Sequence, residues 1–288
     1  MMKLYAPSTI REIKEKYGFR LSKSLGQNFL TDKNIIDKII EATEITEEDL
    51  VIEIGPGIGV LTAEAAQLAK KVAAVEIDRN LIPILQDTLG NFDNVEIINQ
   101  DVLKTDLNGL IEAADCRRAR IIGNLPYYIT TPIIMGLLES HVKADSITIM
   151  MQKEVADRIK AGPGTKAYGA LSAAVQYYCT VSTVATVPKE VFFPVPKVDS
   201  AVLRLDIREE KPVELFSEDL FFQCIKAGFG QRRKTLLNSL SQLNDFDRGK
   251  IRKALESAGI DEKRRAETLS LEEFAAIANA LYKGEKRE

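Results

Sequence analysis

Histidine and cysteine are scarce in this chain of 288 residues, which holds one histidine and three cysteines. With His141 as the lone histidine, neither a histidine metal site nor a histidine-dependent catalytic triad is expected, and we predict no bound metal. Cys116, Cys179 and Cys224 lie far apart, so they fit neither a metal-binding spacing nor a disulfide framework. Such cysteine usage is typical of the reducing cytoplasm, where we expect the protein to reside.

Long apolar runs and a strong net charge are also missing. No apolar run approaches the ~18 residues of a membrane span, and Met1–Tyr5 lacks the apolar core of a secretory signal. The apolar fraction of 45% and the charged fraction of 28% are those of an ordinary globular protein. A net charge of −3 and a pI near 5.6 do not by themselves indicate a nucleic-acid-binding protein.

Three basic clusters stand out against this near-neutral background. Six lysines and arginines occur within residues 1–30 against two glutamates, and Gln231–Lys234 and Lys263–Arg265 form the other two clusters. Local patches, rather than overall charge, contact the phosphates of nucleic acids. The alternative for each cluster is a solvated helix face.

Strand-like and helix-like segments alternate from about residue 31 to residue 205. This alternation predicts an α/β fold with an open, mostly parallel seven-stranded sheet and helices on both faces. Ligands of such sheets bind at the carboxyl ends of the strands. The predicted strands are 50–54, 72–76, 95–98, 120–123, 147–151, 181–187 and 198–205, and the predicted helices are 61–70, 81–89, 153–160 and 171–178.

The pattern changes near Glu209–Pro212, and only helical periodicity follows. We therefore predict two domains, a sheet domain over residues 1–207 and a small all-helical domain over residues 208–288. Ser270–Glu273 has the residues of a capped helix start. The helices predicted in this second domain are 217–228, 232–243, 248–257 and 271–281.

A glycine-rich turn, Gly55–Gly59, follows the first predicted strand. Its glycines permit a tight turn and a close approach of ligand to backbone, and free N–H groups at the helix start favour a carboxylate or a phosphate. The spacing is Gly-x-Gly-x-Gly, not the Gly-x-Gly-x-x-Gly of dinucleotide-binding proteins. Pro56 also removes one donor, so a pyrophosphate is disfavoured.

Acidic residues end the second and third predicted strands. Glu76, 21 residues after Gly55, can accept both hydroxyls of a ribose, and Asp101 can accept from an adenine amine. A solvated strand end is the alternative for each acid alone. The turn and both acids together outline a site for an adenosine ligand that carries a carboxylate. S-adenosylmethionine fits, and NAD is the rival ligand.

The fourth predicted strand ends in Asn124–Tyr127, which argues against NAD because it offers an amide and a ring rather than a hydride acceptor site. A side-chain amide oxygen and a backbone carbonyl can accept both hydrogens of an exocyclic amine, while an aromatic ring stacks on the base. The segment therefore predicts a pocket for methylating a nucleobase amine. A simple Asn-x-Pro turn is the alternative.

With these motifs in order, the chain resembles the bacterial ribosomal RNA adenine dimethyltransferases that act on the small subunit. The resemblance covers nearly the whole length and departs at no motif position. It implies a class I S-adenosylmethionine methyltransferase fold with a helical RNA-binding domain. The matching motifs are Leu25–Leu30, Glu53–Thr62, Val75–Asp78, Gln100–Val102, Asn124–Tyr128, Phe192–Val202 and Phe229–Leu236.

The resemblance also implies roles for individual residues. The substrate would be two adjacent adenosines in the 3′-terminal hairpin of 16S rRNA, within the small subunit or its precursor. Each would be dimethylated on N6 during late assembly of the ribosome. S-adenosylmethionine would be the cofactor, and nothing demands more than a monomer. The implied cofactor contacts are Gln27, Asn28, Leu30, Gly55, Gly57, Glu76, Ile77, Asp101, Val102 and Asn124, the implied catalytic residues are Asn124, Leu125, Pro126, Tyr127 and Phe192, and the RNA contacts are Arg232, Arg233 and Lys234 with the basic N-terminal segment.

The chemistry of N6 methylation predicts how these residues act. We expect the Asn124 side-chain oxygen and the carbonyl of Leu125 or Pro126 to accept the two N6 hydrogens, so that the nitrogen lone pair points at the methyl group. Tyr127 and Phe192 are expected to sandwich the base. Of the adjacent Phe192 and Phe193, Phe193 is the one that we expect in the core.

Two other functions stay open from the sequence. A ribosome-assembly binding factor could have methylation as a secondary or lost activity. A large-subunit adenine methylase of the macrolide-resistance type would share these motifs. Intact Asn124–Tyr127 and both acids favour a working enzyme, and Asn124–Tyr128, Gly55–Gly57 and Phe192–Ser200 favour the small-subunit branch.

Overall fold

A computed structural model describes residues 3–19 and 26–285 of the chain. Within the described residues, the chain divides into two compact units. Unit 1 comprises the residues up to Ala156 together with Thr180–Ile207, and unit 2 comprises Asp157–Cys179 together with the residues from Arg208 onward. The division after Ile207 coincides with the one expected from sequence, whereas Asp157–Cys179 lies in unit 2 rather than in the sheet unit.

The predicted mostly parallel seven-stranded sheet is confirmed. Its strand order is β4-β3-β2-β5-β6-β9-β7, and a separate two-stranded sheet pairs β1 with β8. All described neighbours from β4 to β6 are parallel, and β9 runs antiparallel to β6. The strands are β1 Phe29–Leu30, β2 Asp49–Ile54, β3 Lys71–Glu76, β4 Val95–Asn99, β5 Arg118–Asn124, β6 Ser146–Gln152, β7 Cys179–Val187, β8 Phe192–Phe193 and β9 Ser200–Ile207.

The centre of the sheet is strongly apolar. Every residue of β2 is buried, and Ile52, Ile121 and Ile147 on adjacent strands are fully enclosed. Near-continuous apolar strands are typical of parallel sheets that are covered on both faces. The carboxyl ends of β2, β3, β4 and β5 lie side by side at one edge of this apolar sheet.

Twelve α-helices accompany the strands in the described residues. Four of them, α1, α2, α5 and α6, have no counterpart in the sequence prediction, and α3 is shorter than expected because turns replace its last residues. The helices are α1 Pro7–Tyr17, α2 Lys33–Thr43, α3 Val60–Ala65, α4 Ile82–Thr88, α5 Leu107–Ala113, α6 Thr130–Glu139, α7 Lys153–Lys160, α8 Ala170–Tyr178, α9 Glu218–Gly230, α10 Leu236–Leu240, α11 Arg248–Ser257 and α12 Leu271–Glu285. Among the described residues, none of these helices combines the length and apolar character that crossing a membrane requires.

Unit 2 is stabilised by polar contacts between its helices. The Tyr177 and Tyr178 hydroxyls donate to the two carboxylate oxygens of Glu218, at 2.8 and 2.6 Å. The predicted cap of α12 is confirmed, because the Glu273 N–H donates to the Ser270 hydroxyl and the Ser270 N–H donates to the Glu273 carboxylate.

The helix predicted to begin at Arg232 is wrong. After α9 ends at Gly230, the next residues form turns, and α10 begins only at Leu236, preceded by Thr235 in extended conformation. The segment Gln231–Lys234 is therefore a connection between two helices rather than a helix start.

Candidate active site

One cavity in unit 1 opens at the carboxyl ends of β2, β3, β4 and β5, where the fold rule for open α/β sheets places ligands. It brings together every predicted cofactor residue and four of the five predicted catalytic residues. Of the motif Leu25–Leu30, residue Leu25 lies outside the described residues. The predicted residues that line the cavity are Gln27, Asn28, Leu30, Gly55, Gly57, Glu76, Ile77, Asp101, Val102, Asn124, Leu125, Pro126 and Tyr127.

The glycine turn after β2 needs glycine for two reasons. Gly57 has a φ of +62°, and a Cβ there would lie 2.9 Å from the Phe29 ring. Each glycine N–H of the turn has an acceptor within the protein: Gly55 donates to Val75 O, Gly57 to the Glu76 carboxylate and Gly59 to Pro56 O. These three amides are therefore not available to cradle a pyrophosphate.

Glu76 at the end of β3 is a buried carboxylate aimed at the cavity. Its side chain accepts from the backbone N–H of Asp78 at 2.8 Å and of Gly57 at 3.3 Å. Burial raises the pKa of Glu76 to about 7, the two backbone donors oppose that rise, and the charge of Asp78 adds to it. The group is thus poised to gain a hydrogen-bond donor or a cation from a ligand.

Glu53 is a second buried acid of the cavity, and sequence analysis gave it no role. Its carboxylate accepts from the Thr62 hydroxyl of α3 at 2.5 Å, and only 1% of the residue is exposed. Burial raises the pKa of Glu53 to about 8, against the effect of the Thr62 hydrogen bond and with a further rise from Glu76. Its position immediately before the glycine turn was the signal that could have identified it.

Asp101 completes the acidic wall after β4. One of its carboxylate oxygens accepts from the Leu103 N–H at 3.0 Å and so fixes the side chain. Ile77 beside it is 52% exposed and offers an apolar surface to a flat ring. Glu53, Glu76 and Asp101 are the acidic residues among those lining the cavity, and no described lysine, arginine or histidine joins them.

The Asn124 amide has its orientation set by the N-terminal segment. Its Nδ2 donates to the Asn28 backbone carbonyl at 2.8 Å. Because a carbonyl oxygen can only accept, the amide nitrogen must face Asn28 and the amide oxygen must face the other way. Asn28 is itself held by a bond from its Nδ2 to Gly26 O at 3.0 Å. The motif Leu25–Leu30 thus contributes the Asn28 backbone carbonyl, which holds the Asn124 amide.

The structure also distinguishes between the backbone carbonyls of Leu125 and Pro126, which the sequence left as alternative acceptors for the substrate amine. Pro126 O already accepts from the Ile129 N–H at 3.2 Å and from the Thr130 hydroxyl at 3.0 Å. Both of its lone pairs are therefore engaged. Leu125 donates its own N–H to Met150 O at 3.1 Å. The Leu125 carbonyl is consequently the better acceptor for a substrate amine.

Two tyrosines stand at the rim of the cavity. The Tyr127 hydroxyl shares a 2.8 Å hydrogen bond with the Ser200 hydroxyl at the start of β9, which fixes its ring, and burial raises the pKa of Tyr127. Tyr128 also lines the cavity and is 58% exposed. Ser200 is a positioning residue that sequence analysis missed, although it belongs to the matched motif.

The two phenylalanines of β8 are buried in the opposite order from the prediction. Phe192 is 3% exposed and lies in the core, whereas Phe193 is half-buried, with the Lys14 ammonium 5.3 Å from its ring centroid. β8 pairs with β1 through Phe192 opposite Leu30, and neighbouring strand residues point to opposite faces, so only one ring enters the core. Phe192 is the predicted catalytic residue that the structure does not bring to the cavity surface.

The three residues of unit 2 that were predicted to contact RNA differ in how their side chains are placed. The Arg232 guanidinium donates to the Lys166 and Tyr168 carbonyls at 2.7 and 3.1 Å and lies 3.6 Å from the Glu267 carboxylate. Arg233 and Lys234 are exposed. Arg20 and Lys23 of the N-terminal basic segment lie outside the described residues.

Comparison with known proteins is consistent with this geometry. Residues 18–283 match the family model of ribosomal RNA adenine dimethylase. The "Ribosomal RNA small subunit methyltransferase A" of Clostridioides difficile (strain 630) is 53% identical over 282 residues, 98% of each chain. The protein of that name from Bacillus pumilus (strain SAFR-032) is 55% identical over 284 residues, 96% of this chain and 97% of that one.

Two crystal structures extend the similarity to the fold. A dimethyladenosine transferase from Plasmodium falciparum has a TM-score of 0.73 and 29% identity, covering 90% of this chain and 98% of that one. The 23S rRNA methyltransferase ErmE has a TM-score of 0.67 and 28% identity, covering 88% and 99%. The predicted methyltransferase fold is thereby confirmed.

Proposed function

The chain belongs to the ribosomal RNA adenine dimethylase family, and we propose that it dimethylates N6 of two adjacent adenosines in the 3′-terminal hairpin of small-subunit rRNA, with S-adenosylmethionine as donor. Membership makes it an rRNA methyltransferase. The observation that carries the proposal is the oriented Asn124 amide, whose oxygen faces away from Asn28 at the mouth of an acidic cavity.

The cavity fits the proposed donor better than the rival NAD. S-adenosylmethionine, when bound, supplies a methyl group on a sulfonium, and it carries a second positive charge on its ammonium. The carboxylates of Glu76 and Asp101, with no described cation among the lining residues, favour such a ligand by charge. A pyrophosphate would meet the same carboxylates and would find the three glycine amides already engaged.

In this proposal, individual residues hold the donor. Glu76 accepts the ribose hydroxyls, and the free oxygen of Asp101 accepts from the adenine amine. Ile77 and Val102 contact the faces of the adenine ring. Gln27, Asn28 and Leu30, with Gly55 and Gly57, close the remainder of the cavity.

The target adenine is bound by acceptors and by a ring. The Asn124 Oδ1 and the Leu125 carbonyl accept the two N6 hydrogens, which favours the pyramidal amine and directs its lone pair at the methyl group. No strong general base is required, because a methylated ammonium is acidic and loses its proton to water. Tyr127 stacks on the base, which contributes ~1–3 kcal/mol. Phe192 is proposed to cover the other face, which requires β8 to move, because the ring is 3% exposed here.

The proposed partner is 16S rRNA within the small subunit or its precursor, bound by a monomer in the cytoplasm. The division into a catalytic domain, residues 1–207, and an RNA-binding helical domain, residues 208–288, belongs to this proposal. Arg233 and Lys234 are exposed and suit contacts with the RNA backbone. Arg232 combines any such contact with its bonds to Lys166 and Tyr168.

The small-subunit assignment is favoured over the large-subunit alternative by the relatives. Proteins named for the small subunit are 53% and 55% identical over nearly all of both chains, whereas the 23S rRNA methyltransferase ErmE is 28% identical. A pure assembly-binding factor would not need an intact acidic cavity or an oriented Asn124.

Label transfer tests the proposal. Purified enzyme would be incubated with methyl-tritiated S-adenosylmethionine and unmethylated small subunits, with large subunits in parallel, and the modified nucleoside would be mapped. N6,N6-dimethyladenosine in the 3′-terminal hairpin of the small-subunit RNA is expected. Label confined to the large subunit would refute the substrate assignment.

A substitution separates catalysis from binding. Asn124→Ala removes the amide oxygen, so label transfer should fall by ~10²-fold or more, as for loss of a positioned transition-state acceptor. Subunit binding, measured by co-sedimentation, should stay at the wild-type level. Binding without label in the wild-type enzyme itself would favour the assembly-factor alternative.

A further inference from the structure

An exposed glycine-rich loop, residues 162–167, joins α7 to α8 within unit 2. Its residues from Pro163 to Ala167 are all exposed, whereas the next residue, Tyr168, is only 1% exposed. A Cβ built on Gly162 or on Gly164 meets no atom within 4 Å, so the space around this part of the backbone is open. The loop has no role in the proposed function.

The loop is anchored at both of its ends. Before it, the Gln176 side chain of α8 donates to the carbonyls of Ile159 and Ala161 at 2.8 and 2.9 Å. After it, the buried Tyr168 ring packs edge-on against Phe229 of α9, with centroids 5.5 Å apart. The exposed residues between these anchors are therefore held in place, which lowers the entropy cost of binding a ligand there.

Arg232 and Glu267 hold the middle of the loop. The Arg232 guanidinium donates to the carbonyls of Lys166 and Tyr168 at 2.7 and 3.1 Å. The Glu267 backbone carbonyl accepts from the Gly164 N–H at 2.7 Å, and the Glu267 carboxylate lies 3.6 Å from the Arg232 guanidinium. Arg232 thus ties the loop to the connection between α9 and α10, and Glu267 offsets its charge.

The surface that Arg232 assembles carries donors without internal partners. Lys166, Arg233 and Lys234 are exposed, and none of these side chains forms an ion pair or a hydrogen bond with a described residue. The backbone N–H groups of Lys166 and Ala167 likewise have no acceptor within the described part of the chain. Ammonium, guanidinium and backbone N–H groups are the donors that bind phosphate oxygens.

Three acids lie close to the loop, and two of them are engaged. Glu267 is offset by Arg232, and Glu273 is paired with an arginine. Burial raises the pKa of Tyr168 to about 12, and the charges of Glu272 and Glu273 add to this rise. Glu272 is exposed in the first turn of α12. Its one negative charge stands against three exposed cations, so the potential of this surface is positive.

A further basic segment adjoins the same surface. The Leu236 N–H at the start of α10 donates to the Arg264 carbonyl at 2.8 Å, so the two segments lie side by side. Lys263 and Arg265 are exposed and have no ion pair with a described residue, and exposed Asp261 carries the opposite charge. This neighbouring segment therefore adds to the positive potential.

We propose that the loop of residues 162–167 is a further RNA-binding element of unit 2, in which Lys166 and the adjacent backbone contact phosphates, and that Arg232 is the positioning residue that holds this element beside Arg233 and Lys234. An open glycine backbone lets a phosphate approach closely. The inference rests on the proposed function for the identity of the RNA. It assigns Arg232 the role of a support, whereas Arg233 and Lys234 remain phosphate contacts.

The shape of the loop favours RNA over an acidic protein segment as the partner. Interfaces between proteins depend on large apolar or aromatic side chains that fill pockets. The loop reads Gly-Pro-Gly-Thr-Lys-Ala and offers no such side chain. Phosphate contacts need only charge, donors and access, and these are what the loop presents.

The first experiment removes the charge of the loop. Lys166→Gln would be compared with Lys71→Gln, which removes an exposed lysine at the amino end of β3. Binding to unmethylated small subunits would be measured between about 50 and about 200 mM salt. Loss of one phosphate contact should flatten the slope of log K against log salt by ~0.7–0.9. The control should keep the wild-type slope, and a wild-type slope for Lys166→Gln would overturn the proposed element.

A double-mutant cycle tests the positioning role of Arg232. With Arg232→Gln already present, Lys166→Gln should have almost no further effect on affinity, because the loop has lost its support. With Arg233→Gln present instead, Lys166→Gln should weaken binding by its full factor, to within ~2-fold, because independent contacts add. Equal effects of Lys166→Gln in both backgrounds would refute the positioning role.

Hydrogen exchange supplies a readout that a simple phosphate contact would not change. The Gly164 amide, which donates to Glu267 O, should exchange faster in Arg232→Gln and in Arg232→Lys than in wild type, and at the wild-type rate in Arg233→Gln. Lysine keeps the charge but lacks the planar fork that reaches two carbonyls. Circular dichroism checks folding, and Arg232→Lys carries the cycle if Arg232→Gln does not fold.

Two further comparisons identify the partner and separate this inference from the proposed function. The effect of Lys166→Gln should persist on deproteinised rRNA, and an effect seen only with intact subunits would assign the loop to a protein and overturn the proposal. If wild-type enzyme labels the small subunit but Lys166→Gln binds like wild type, the loop inference fails and the methylation function stands. If wild-type enzyme transfers no label, the methylation function fails whatever Lys166→Gln does.

Discussion

Replacing Glu53 by glutamine should make the protein more stable at alkaline pH. Glu53 is 1% exposed at the floor of the cavity, and among the described residues its one hydrogen-bonding partner is the Thr62 hydroxyl. Burial opposes its ionisation, and Glu76 nearby opposes it further, so the pKa of Glu53 rises from 4.5 to about 8. Glutamine has the same shape, keeps an acceptor for Thr62 and carries no charge at any pH.

The sign and size of the stability difference between wild type and Glu53→Gln follow from the linkage between protonation and folding. The folded state holds the proton more tightly than the unfolded state, so the stabilisation is complete below pH 4.5 and is lost as pH rises through about 8. A shift in the pKa of Glu53 from 4.5 to about 8 corresponds to a change in the free energy of unfolding on the order of 5 kcal/mol. Wild type and Glu53→Gln should therefore be equally stable near pH 5, and the variant should exceed wild type by several kcal/mol near pH 9.

Urea denaturation between pH 5 and pH 9, with hydrogen exchange of the β2 amides to follow unit 1, measures this difference. Glu96→Gln on β4 is the matched control, because Glu96 is exposed and its loss should leave the pH dependence unchanged. Parallel stability curves for wild type and Glu53→Gln across this range would refute the assignment of Glu53 as a buried neutral acid.

Three further predictions concern the site and the helical unit. Because the pKa of Glu76 is raised to about 7, wild-type affinity for the cationic donor should fall ~10-fold from pH 8 to pH 6, and Glu76→Gln should abolish this dependence in calorimetric titrations. Gly57→Ala should lower the free energy of unfolding by ~1–2 kcal/mol in thermal melts, because φ is +62° and the new Cβ meets the Phe29 ring. Arg232→Ala should destabilise unit 2 by ~1 kcal/mol in urea, whereas Arg233→Ala should leave the unfolding midpoint unchanged and weaken only RNA binding.

The sheet and most of the cavity could be predicted because their residue patterns are local. Apolar segments such as 50–54 and 147–151 bounded by turns reveal strands directly, and the alternation with helices places their carboxyl ends together. Glu76 and Asp101 were therefore assigned to one cavity from sequence alone, and both line it.

The remaining features depend on partners that are distant along the chain. The bond from Asn124 to Asn28 spans 96 residues, and that from Tyr127 to Ser200 spans 73. The order of burial in β8 is set by its pairing with β1, which sequence periodicity over two residues cannot reveal. The helix expected from Arg232 begins only at Leu236, and the bonds of Arg232 to the carbonyls of Lys166 and Tyr168 are distant contacts that local periodicity does not encode.

The net charge of −3 conceals two opposite electrostatic environments, each suited to its ligand. The cavity of unit 1 gathers Glu53, Glu76 and Asp101, and the carboxylates of Glu76 and Asp101 favour a ligand with a net positive charge and disfavour a polyanion. The exposed side chains of Arg233 and Lys234 in unit 2 have the reverse preference. We therefore expect an RNA phosphate to be repelled from the acidic cavity and attracted to exposed basic residues, so an enzyme that acts on nucleic acid needs local patches of charge rather than a basic chain. Salt should accordingly weaken RNA binding far more than donor binding, because screening acts most strongly on exposed charges.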